Sequence, residues 1–354
     1  MHLFLRGMMT PTQSAPPNSC RVMTITIGVL ALQGAFVEHI ALLRHAAHSL
    51  RVQRLRDAEL SSLAKATHLG PNAPAPSFGH GASAIASSTA EYNGGAGAVN
   101  GGTTHKADAS PPVPSSASEA EVDFEFIEVR TPAELARCAA LILPGGESTS
   151  ISLIAERTGL LEPLRDFVKV RRRPVWGTCA GLILLAEEAN RSKDTGQELI
   201  GGLDVRVQRN YFGRQVESFE AGLSLPFLHD EDGASAPFHS VFIRAPVVER
   251  VLPPNAASAS AALRTTTSGT VTAPPRQETK AEVEILGRLP GRARTLKDKS
   301  TTAEQLGEDG DIVAVRQGNV FGTAFHPELT GDGRIHSWWL TEVVKAVAAS
   351  QEPS

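Results

Sequence analysis

The stretch Pro174-Val175-Trp176-Gly177-Thr178-Cys179-Ala180-Gly181-Leu182 constrains this chain more than any other. A short apolar run, Val175 and Trp176, ends in Gly-x-Cys-x-Gly, and an apolar segment through Ala186 follows at once. That order reads as strand, sharp turn, helix. It is the geometry of a nucleophile elbow, in which small flanking residues tolerate a strained turn that lifts one side chain clear of a sheet. The lifted residue is Cys179, at the amino end of the following helix, where backbone N–H groups and the helix dipole favour a thiolate. A lone cysteine more often ends as an inert buried thiol. Glycines on both sides argue against that here.

The flanking segments supply the sheet that such an elbow needs. Residues 24–32 form an apolar, β-branched run typical of a strand covered on both faces. Gln33-Gly34 breaks it, and Phe36, Ile40, Leu43 and Ala47 then recur at helical spacing. Residues 122–129 largely alternate as a strand, and Thr131-Pro132-Ala133-Glu134 has the form of a capping box with proline in the first turn. Ala140–Leu143 reads as a buried strand ending in Pro144-Gly145-Gly146-Glu147-Ser148, where paired glycines allow close backbone approach or an oxyanion hole. One helix is expected through Ile154, Leu160, Leu161, Leu164 and Phe167, and a strand over 241–246. Residues 282–286 read as a further strand, and 312–316 with 320–325 as a hairpin turning at Gln317-Gly318-Asn319. A short helix through Ile335, Trp338, Trp339, Val343 and Val344 closes an α/β domain spanning 23–346.

Composition bounds the rest. Residues 64–120, 255–280 and 291–309 are low-complexity or charged stretches that cannot bury enough apolar surface to order, and read as disordered insertions. Residues 1–22 read as a disordered extension and 347–354 as a tail. A net charge of −4 over 354 residues leaves no electrostatic footprint for nucleic acid or anionic membrane. No apolar stretch approaches the roughly 20 residues of a membrane span. Three cysteines without metal-like spacing point to a reducing, cytoplasmic setting and no metal site.

A cysteine nucleophile needs a base and a group to orient that base. His326 stands where the last strand ends, and Glu328 follows two residues on, with Pro327 stiffening the link. A lone His-Pro pair is commonly a turn; joined to Gly-x-Cys-x-Gly and the Gly-Gly loop it completes Cys-His-Glu acyl-transfer machinery. Arg209 and Arg244 are each able to clamp a carboxylate, although exposed arginines are usually only solvated charge.

Gly177–Gly181 with His326-Pro327-Glu328 resembles the triad of class I glutamine amidotransferases. Four further stretches resemble the glutaminase subunits of pyridoxal 5′-phosphate synthase within that group: Ile27–Ala35, Leu143–Thr149, Arg209-Asn210-Tyr211-Phe212-Gly213-Arg214-Gln215, and Phe242-Ile243-Arg244-Ala245-Pro246. The resemblance implies a single class I glutamine amidotransferase-like domain, a mostly parallel sheet flanked by helices. It implies hydrolysis of L-glutamine to L-glutamate and ammonia through Cys179, His326 and Glu328, with the Gly146 and Ala180 N–H groups as oxyanion hole. Glutamine would bind at Gly146, Glu147, Ser148, Arg209, Ile243 and Arg244. The implied partner is a synthase subunit that receives the ammonia, and no cofactor is needed, since pyridoxal 5′-phosphate is the pathway's product. The compact family lacks the three insertions and the extension, which fall between predicted elements, where loop length costs little. The triad alone leaves open an amidotransferase of another pathway or a stand-alone hydrolase of γ-glutamyl compounds. A non-catalytic binding protein on the same fold is a further alternative.

Overall fold

Strand β1 (Met23–Leu30) buries Ile25, Ile27, Val29 and Leu30, so both of its edges and both of its faces must be covered. In the computed structural model, which describes residues 22–67, 122–190, 197–209, 211, 218–228, 236–253, 270–275, 281–290 and 310–351, β1 pairs in parallel with β2 (Val122–Val129) and with β3 (Ala140–Leu143). Beyond β3 come β4 (Val175–Thr178) and β13 (Val320–Thr323), also parallel. Five strands thus run in one direction, in the order β2-β1-β3-β4-β13. The sheet continues through β12 (Asp311–Gln317), β9 (Val247–Val251), β6 (Leu203–Gln208), β5 (Ala186–Asn190) and β10 (Thr270–Thr272), with β11 (Glu284–Leu289) also on β12. In this half only β5 and β6 are parallel to each other. A separate antiparallel ribbon joins β7 (Ser218–Leu223) to β8 (Phe238–Ile243).

The chain divides into two units, residues 1–55 with 121–354 and residues 56–120. The first holds the sheets. The second is described only over 56–67, where it continues helix α1 (Phe36–Thr67). Ile40 and Leu43 of α1 are buried, as the spacing predicts, but Ala46 is buried in place of Ala47, which like Phe36 is half-buried, and Leu55 and Leu60 are exposed. The expected insertion at 64–120 therefore begins within a helix and then lies outside the described residues.

Three local expectations give way to a different outcome. The single helix expected through 154–167 is two: α3 (Ser148–Arg157) ends and α4 (Leu161–Arg165) begins after a break. Gly159, at φ 68°, makes the break; its N–H bonds Glu156 O at 3.1 Å while Leu160 N–H bonds Ala155 O at 2.8 Å. This is a Schellman stop. Pro163 lies in the first turn of α4, where its missing N–H is not needed. The helix after the elbow, α5 (Ala180–Leu185), stops before Ala186, which opens β5 instead. Within the stretch expected as a second insertion, β10 pairs antiparallel with β5. Residues 255–269, 276–280 and 291–309 of the expected insertions lie outside the described residues. The expected hairpin forms as β12 and β13, and the closing helix, α6 (Arg334–Ala349), is longer than its apolar markers.

A π-helical turn over Asp166–Val170 follows α4 and carries Lys169 into the interior. There Lys169 Nζ lies 3.2 Å from Glu187 Oε2 of β5, and Glu187 Oε1 accepts the Gly202 N–H at 2.8 Å. The pair is buried and hydrogen-bonded, the condition under which such charges are tolerated. Among the described residues no helix is long and apolar enough to cross a membrane.

Helix α2 (Pro132–Arg137) carries the predicted capping box: Glu134 N–H donates to Thr131 Oγ1 at 3.3 Å, and Thr131 N–H donates to Glu134 Oε2 at 2.9 Å. Thr131→Ala is expected to lower stability by about 1 kcal/mol. The urea midpoint, read by far-ultraviolet circular dichroism, should fall with an unchanged denaturant slope.

Candidate active site

The site forms where β3, β4 and β13 end together at one edge of the parallel half-sheet. Cys179 follows β4 with φ 47° and ψ −99°, a left-handed conformation that non-glycine residues adopt at a cost of roughly 1–3 kcal/mol. Its N–H donates to Thr323 O at 2.8 Å, which fixes the turn against β13. The flanking glycines are required by space. A Cβ on Gly177 would lie 2.5 Å from the Gly181 carbonyl carbon, and one on Gly181 would lie 2.0 Å from the Leu143 carbonyl oxygen. Close packing of α5 on β3 and β4 therefore demands Gly-x-Cys-x-Gly.

His326 lies just beyond β13, and its N–H donates to Val241 O of β8 at 2.8 Å. A 3₁₀ turn, Pro327–Leu329, then folds Glu328 back, so that Glu328 Oε1 sits 2.7 Å from His326 Nδ1. The Cys179 side chain is also within hydrogen-bonding reach of the His326 ring. The imidazole is 10% exposed and the carboxylate fully buried. Burial alone would push the His326 pKa down, but hydrogen bonds to Cys179 and Glu328, and their charges, raise it to about 10. The ring therefore favours its charged form, set between the Cys179 sulfur and a buried carboxylate. Gly145 makes room for it: a Cβ there would lie 2.3 Å from His326 Cε1.

The substrate-binding candidates gather less uniformly. Gly146 follows Gly145 at the end of β3, and Ala180 opens α5, buried beside Cys179. Glu147 caps α3, accepting from Thr149 N–H at 3.1 Å and Ser150 N–H at 2.7 Å, while its own N–H donates to Gln33 Oε1 at 2.8 Å. Burial would raise the Glu147 carboxyl, but the bonds from Ser150 and Thr149 outweigh it and hold the pKa below its ordinary value. Its side chain is thus committed to the helix. Ser148 is buried in the first turn of α3. Arg209, just past β6, is 5% exposed; burial lowers its pKa to about 10, against the raising charge of Glu147. Its guanidinium donates to Gln197 Oε1, which also accepts the Thr149 hydroxyl at 3.0 Å. The Ile243 carbonyl lies 4.0 Å from Cys179 Sγ. Arg244 follows it, exposed and at φ 45°. Asn210 and Phe212–Gln215 lie outside the described residues.

Four residues around the site were given no role by sequence reasoning. Gln33 and Gln197 meet the loop and Arg209 as above. His39 of α1 is fully buried, with Nδ1 3.0 Å from His336 Nε2 of α6 and Nε2 3.2 Å from Thr178 Oγ1. One signal was available for His39: it falls on the buried stripe of α1, three residues after Phe36 and four before Leu43. Burial, with the charges of His336 and His326, lowers its pKa well below 6.5, and burial takes His336 to about 3. Cys138, the other described cysteine, is buried and pushed up to about 12, which makes it inert. Among the described residues no group of three or more His, Cys, Asp or Glu side chains is placed to hold a metal ion.

An open α/β sheet with a strained cysteine elbow, an imidazolium and a buried carboxylate defines a class of protein equipped for acyl transfer through a thioester. The chain belongs to the SNO glutamine amidotransferase family, whose model matches residues 113–280 and 283–345. It is 41% identical over 219 residues to a protein of Arabidopsis thaliana named probable pyridoxal 5′-phosphate synthase subunit PDX2, covering 60% of this chain and 74% of that one. Pyridoxal 5′-phosphate synthase subunit PdxT of a Nocardioides species is 41% identical over 222 residues, covering 62% and 85%. The corresponding subunit of Herpetosiphon aurantiacus is 39% identical over 214 residues, covering 60% and 85%. A solved structure described as a glutamine amidotransferase aligns over 90% of this chain and 98% of its own, with 29% identity and a TM-score of 0.48.

The buried histidines make stability depend on pH in a defined direction. His39 and His336 titrate below their unfolded value near 6.5, so the unfolded chain binds protons that the folded chain refuses. Their contribution is complete above that value and is lost as pH falls below it. His326, protonated in the folded state, opposes this slope near pH 6.5 and ceases to do so toward pH 5, where the unfolded ring is protonated too. Between pH 6.5 and 5 the unfolding free energy should fall with a slope approaching about 2.7 kcal/mol per pH unit, two protons' worth. Urea denaturation at half-unit pH intervals measures it.

Proposed function

We propose that this chain is the glutaminase subunit of a pyridoxal 5′-phosphate synthase, hydrolysing L-glutamine to L-glutamate and ammonia. The observation that carries the reading is the Cys179–His326–Glu328 arrangement in a chain about 40% identical to proteins named as subunits of that synthase. Cys179, as thiolate, attacks the side-chain carboxamide carbon, and negative charge develops on the carboxamide oxygen. The N–H groups of Gly146 and Ala180 receive that charge. His326 gives its proton to the departing nitrogen, ammonia leaves, and a γ-glutamyl thioester remains on Cys179. His326, now neutral, takes a proton from water as the water attacks the thioester. Glutamate leaves and the thiolate–imidazolium pair is restored. Glu328 holds the Nδ1 side of the ring throughout and stabilises its charged form.

Gly146, Glu147 and Ser148, with Arg209, Ile243 and Arg244, are read as the glutamine-binding set. The Glu147 carboxylate caps α3 and its N–H meets Gln33 Oε1, so its part in binding is to shape the loop that carries Gly146 and Ser148. The buried Arg209 charge suits the α-carboxylate of the substrate better than the exposed Arg244 does, since desolvation strengthens its interaction. Ammonia passes to the partner synthase subunit, so the working form is a hetero-oligomer, and the setting is the cytoplasm.

Purified full-length protein, assayed for ammonia release from L-glutamine with and without the cognate synthase subunit, tests the reading. Activity should rise with the partner, and Cys179→Ala should reduce it by at least about a thousandfold. Activity that ignores the partner would instead identify a stand-alone hydrolase, and none even with the partner would remove the enzyme reading. Gly145→Ala sets a methyl against the His326 ring and should lower kcat by about tenfold or more while the protein stays folded. Steady-state kinetics with a circular dichroism spectrum checks it.

A further inference from the structure

Behind the triad lies a polar cluster that the proposed reaction does not use. His39 of α1 and His336 of α6 are wholly buried, with His39 Nδ1 and His336 Nε2 3.0 Å apart. The other nitrogen of His39, Nε2, stands 3.2 Å from the Thr178 hydroxyl and 3.4 Å from Glu328 Oε2. That carboxylate oxygen is buried without a hydrogen bond among the described residues, and so is His336 Nδ1.

Both rings are held neutral by their burial, so each carries a single N–H. Two arrangements satisfy the contact between them. In the first, His336 Nε2–H donates to His39 Nδ1, and the His39 proton sits on Nε2, facing Thr178 and Glu328. The atom left over, His336 Nδ1, is then a bare acceptor. In the second, His39 Nδ1–H donates to His336 Nε2, which leaves a buried His336 Nδ1–H with no acceptor. It also turns a His39 lone pair toward a carboxylate. Orphaned buried N–H groups are rarer than under-satisfied acceptors, and the lone pair would repel the anion. The first arrangement avoids both penalties.

We propose that His39 is a positioning residue for the triad: its Nε2–H, oriented by His336, steadies the outer oxygen of Glu328 and keeps that carboxylate facing His326. The inference rests on reading Cys179, His326 and Glu328 as the triad. The groups facing His39 are His336 from α6, Glu328 and His326 from the segment after β13, and Thr178 and Trp176 from β4, the indole meeting it edge-on at 5.5 Å. Of these, Glu328 is the one that needs a donor. Without it the carboxylate anion is less well held, the His326 imidazolium loses part of its counter-charge, and the Cys179 thiolate loses part of its own.

Two variants separate this role from simple packing. The amide of His39→Gln reaches the place of Nε2 and can keep the donor; that of His39→Asn reaches only the place of Nδ1. The rate of Cys179 alkylation by iodoacetamide, followed by mass spectrometry across pH, reads the thiolate directly. In His39→Asn its pH midpoint should move up by about one unit, slowing alkylation about tenfold on the acid side, while His39→Gln should stay close to wild type. In the unmodified protein, nitrogen-15 NMR of labelled histidines should find His39 and His336 both protonated on Nε2. An unmoved midpoint in His39→Asn, an equal shift in both variants, or a His39 proton on Nδ1 would each overturn the inference. The NMR measurement decides the matter if His39→Asn does not fold. Neither measurement requires glutamine turnover, so a chain that shows these signatures without releasing ammonia refutes the glutaminase reading and leaves the role of His39 standing.

Discussion

Thr178 and Thr323 face each other at the last rung of the parallel pairing between β4 and β13, and the Cys179 N–H extends that ladder onto Thr323 O at 2.8 Å. Everything chemical about the molecule hangs from this register. Cys179 is the next residue on one strand, and His326 lies three residues on along the other. A slip of one residue would displace them by about 3.3 Å, more than the whole length of a hydrogen bond. Parallel strands put their carboxyl ends at one edge, which is why the Gly145-Gly146 loop after β3 arrives there too. The neighbouring ribbon joins at the same edge through His326 N–H and Val241 O.

Three histidines of nearly equal burial end in opposite protonation states. His39 and His336 are held neutral, whereas His326 is held charged up to about 10. Desolvation acts on all three in the same direction, so it cannot make the difference. What differs is company: His326 is hydrogen-bonded to Cys179 and, at 2.7 Å, to Glu328, whereas His39 bonds another imidazole and a hydroxyl and meets only the outer oxygen of that carboxylate, at 3.4 Å. Opposed protonation states in one small volume allow a proton to be stored at one ring and kept off its neighbours. The aromatic packing of Trp176 against His39, His336, Phe321 and Trp339 holds the rings in place, and the indole N–H is satisfied by Thr323 Oγ1 at 3.2 Å.

Much of this was legible in the chain because short-range rules and long-range needs agreed. The capping box at Thr131, the hairpin at Gly318 and the buried run of β1 follow from residue chemistry alone. The elbow announced itself through glycines that sterics demand on both sides of Cys179. Residue chemistry pointed to His326 and Glu328 as base and orienting group, resemblance supplied the substrate, and the two side chains meet at 2.7 Å. The misses have physical causes. Strand β5 reads Ala-Glu-Glu-Ala-Asn, a poor strand by propensity, and forms because Glu187 is drawn inward by Lys169 and Gly202. Strand β10 is a three-residue island whose partner lies far away in sequence, so no local signal betrays it. The break at Gly159 was visible as a glycine but was outweighed by apolar periodicity on both sides. His39 and His336 lie 297 residues apart, and only the closed fold reveals that they touch.

The Lys169–Glu187 pair bears on how this lineage can change. Losing either partner alone strands a charge in the interior, at a cost of roughly 3–5 kcal/mol, against a total stability of about 5–15 kcal/mol for a typical domain. Replacing both with apolar residues of similar volume can be nearly neutral. The space is further restricted because a Cβ on Gly201 would lie 2.5 Å from Lys169 Nζ and 2.7 Å from Glu187 Oε1. Positions 169, 187 and 201 are therefore expected to drift together or not at all, a small epistatic block lying outside the catalytic set.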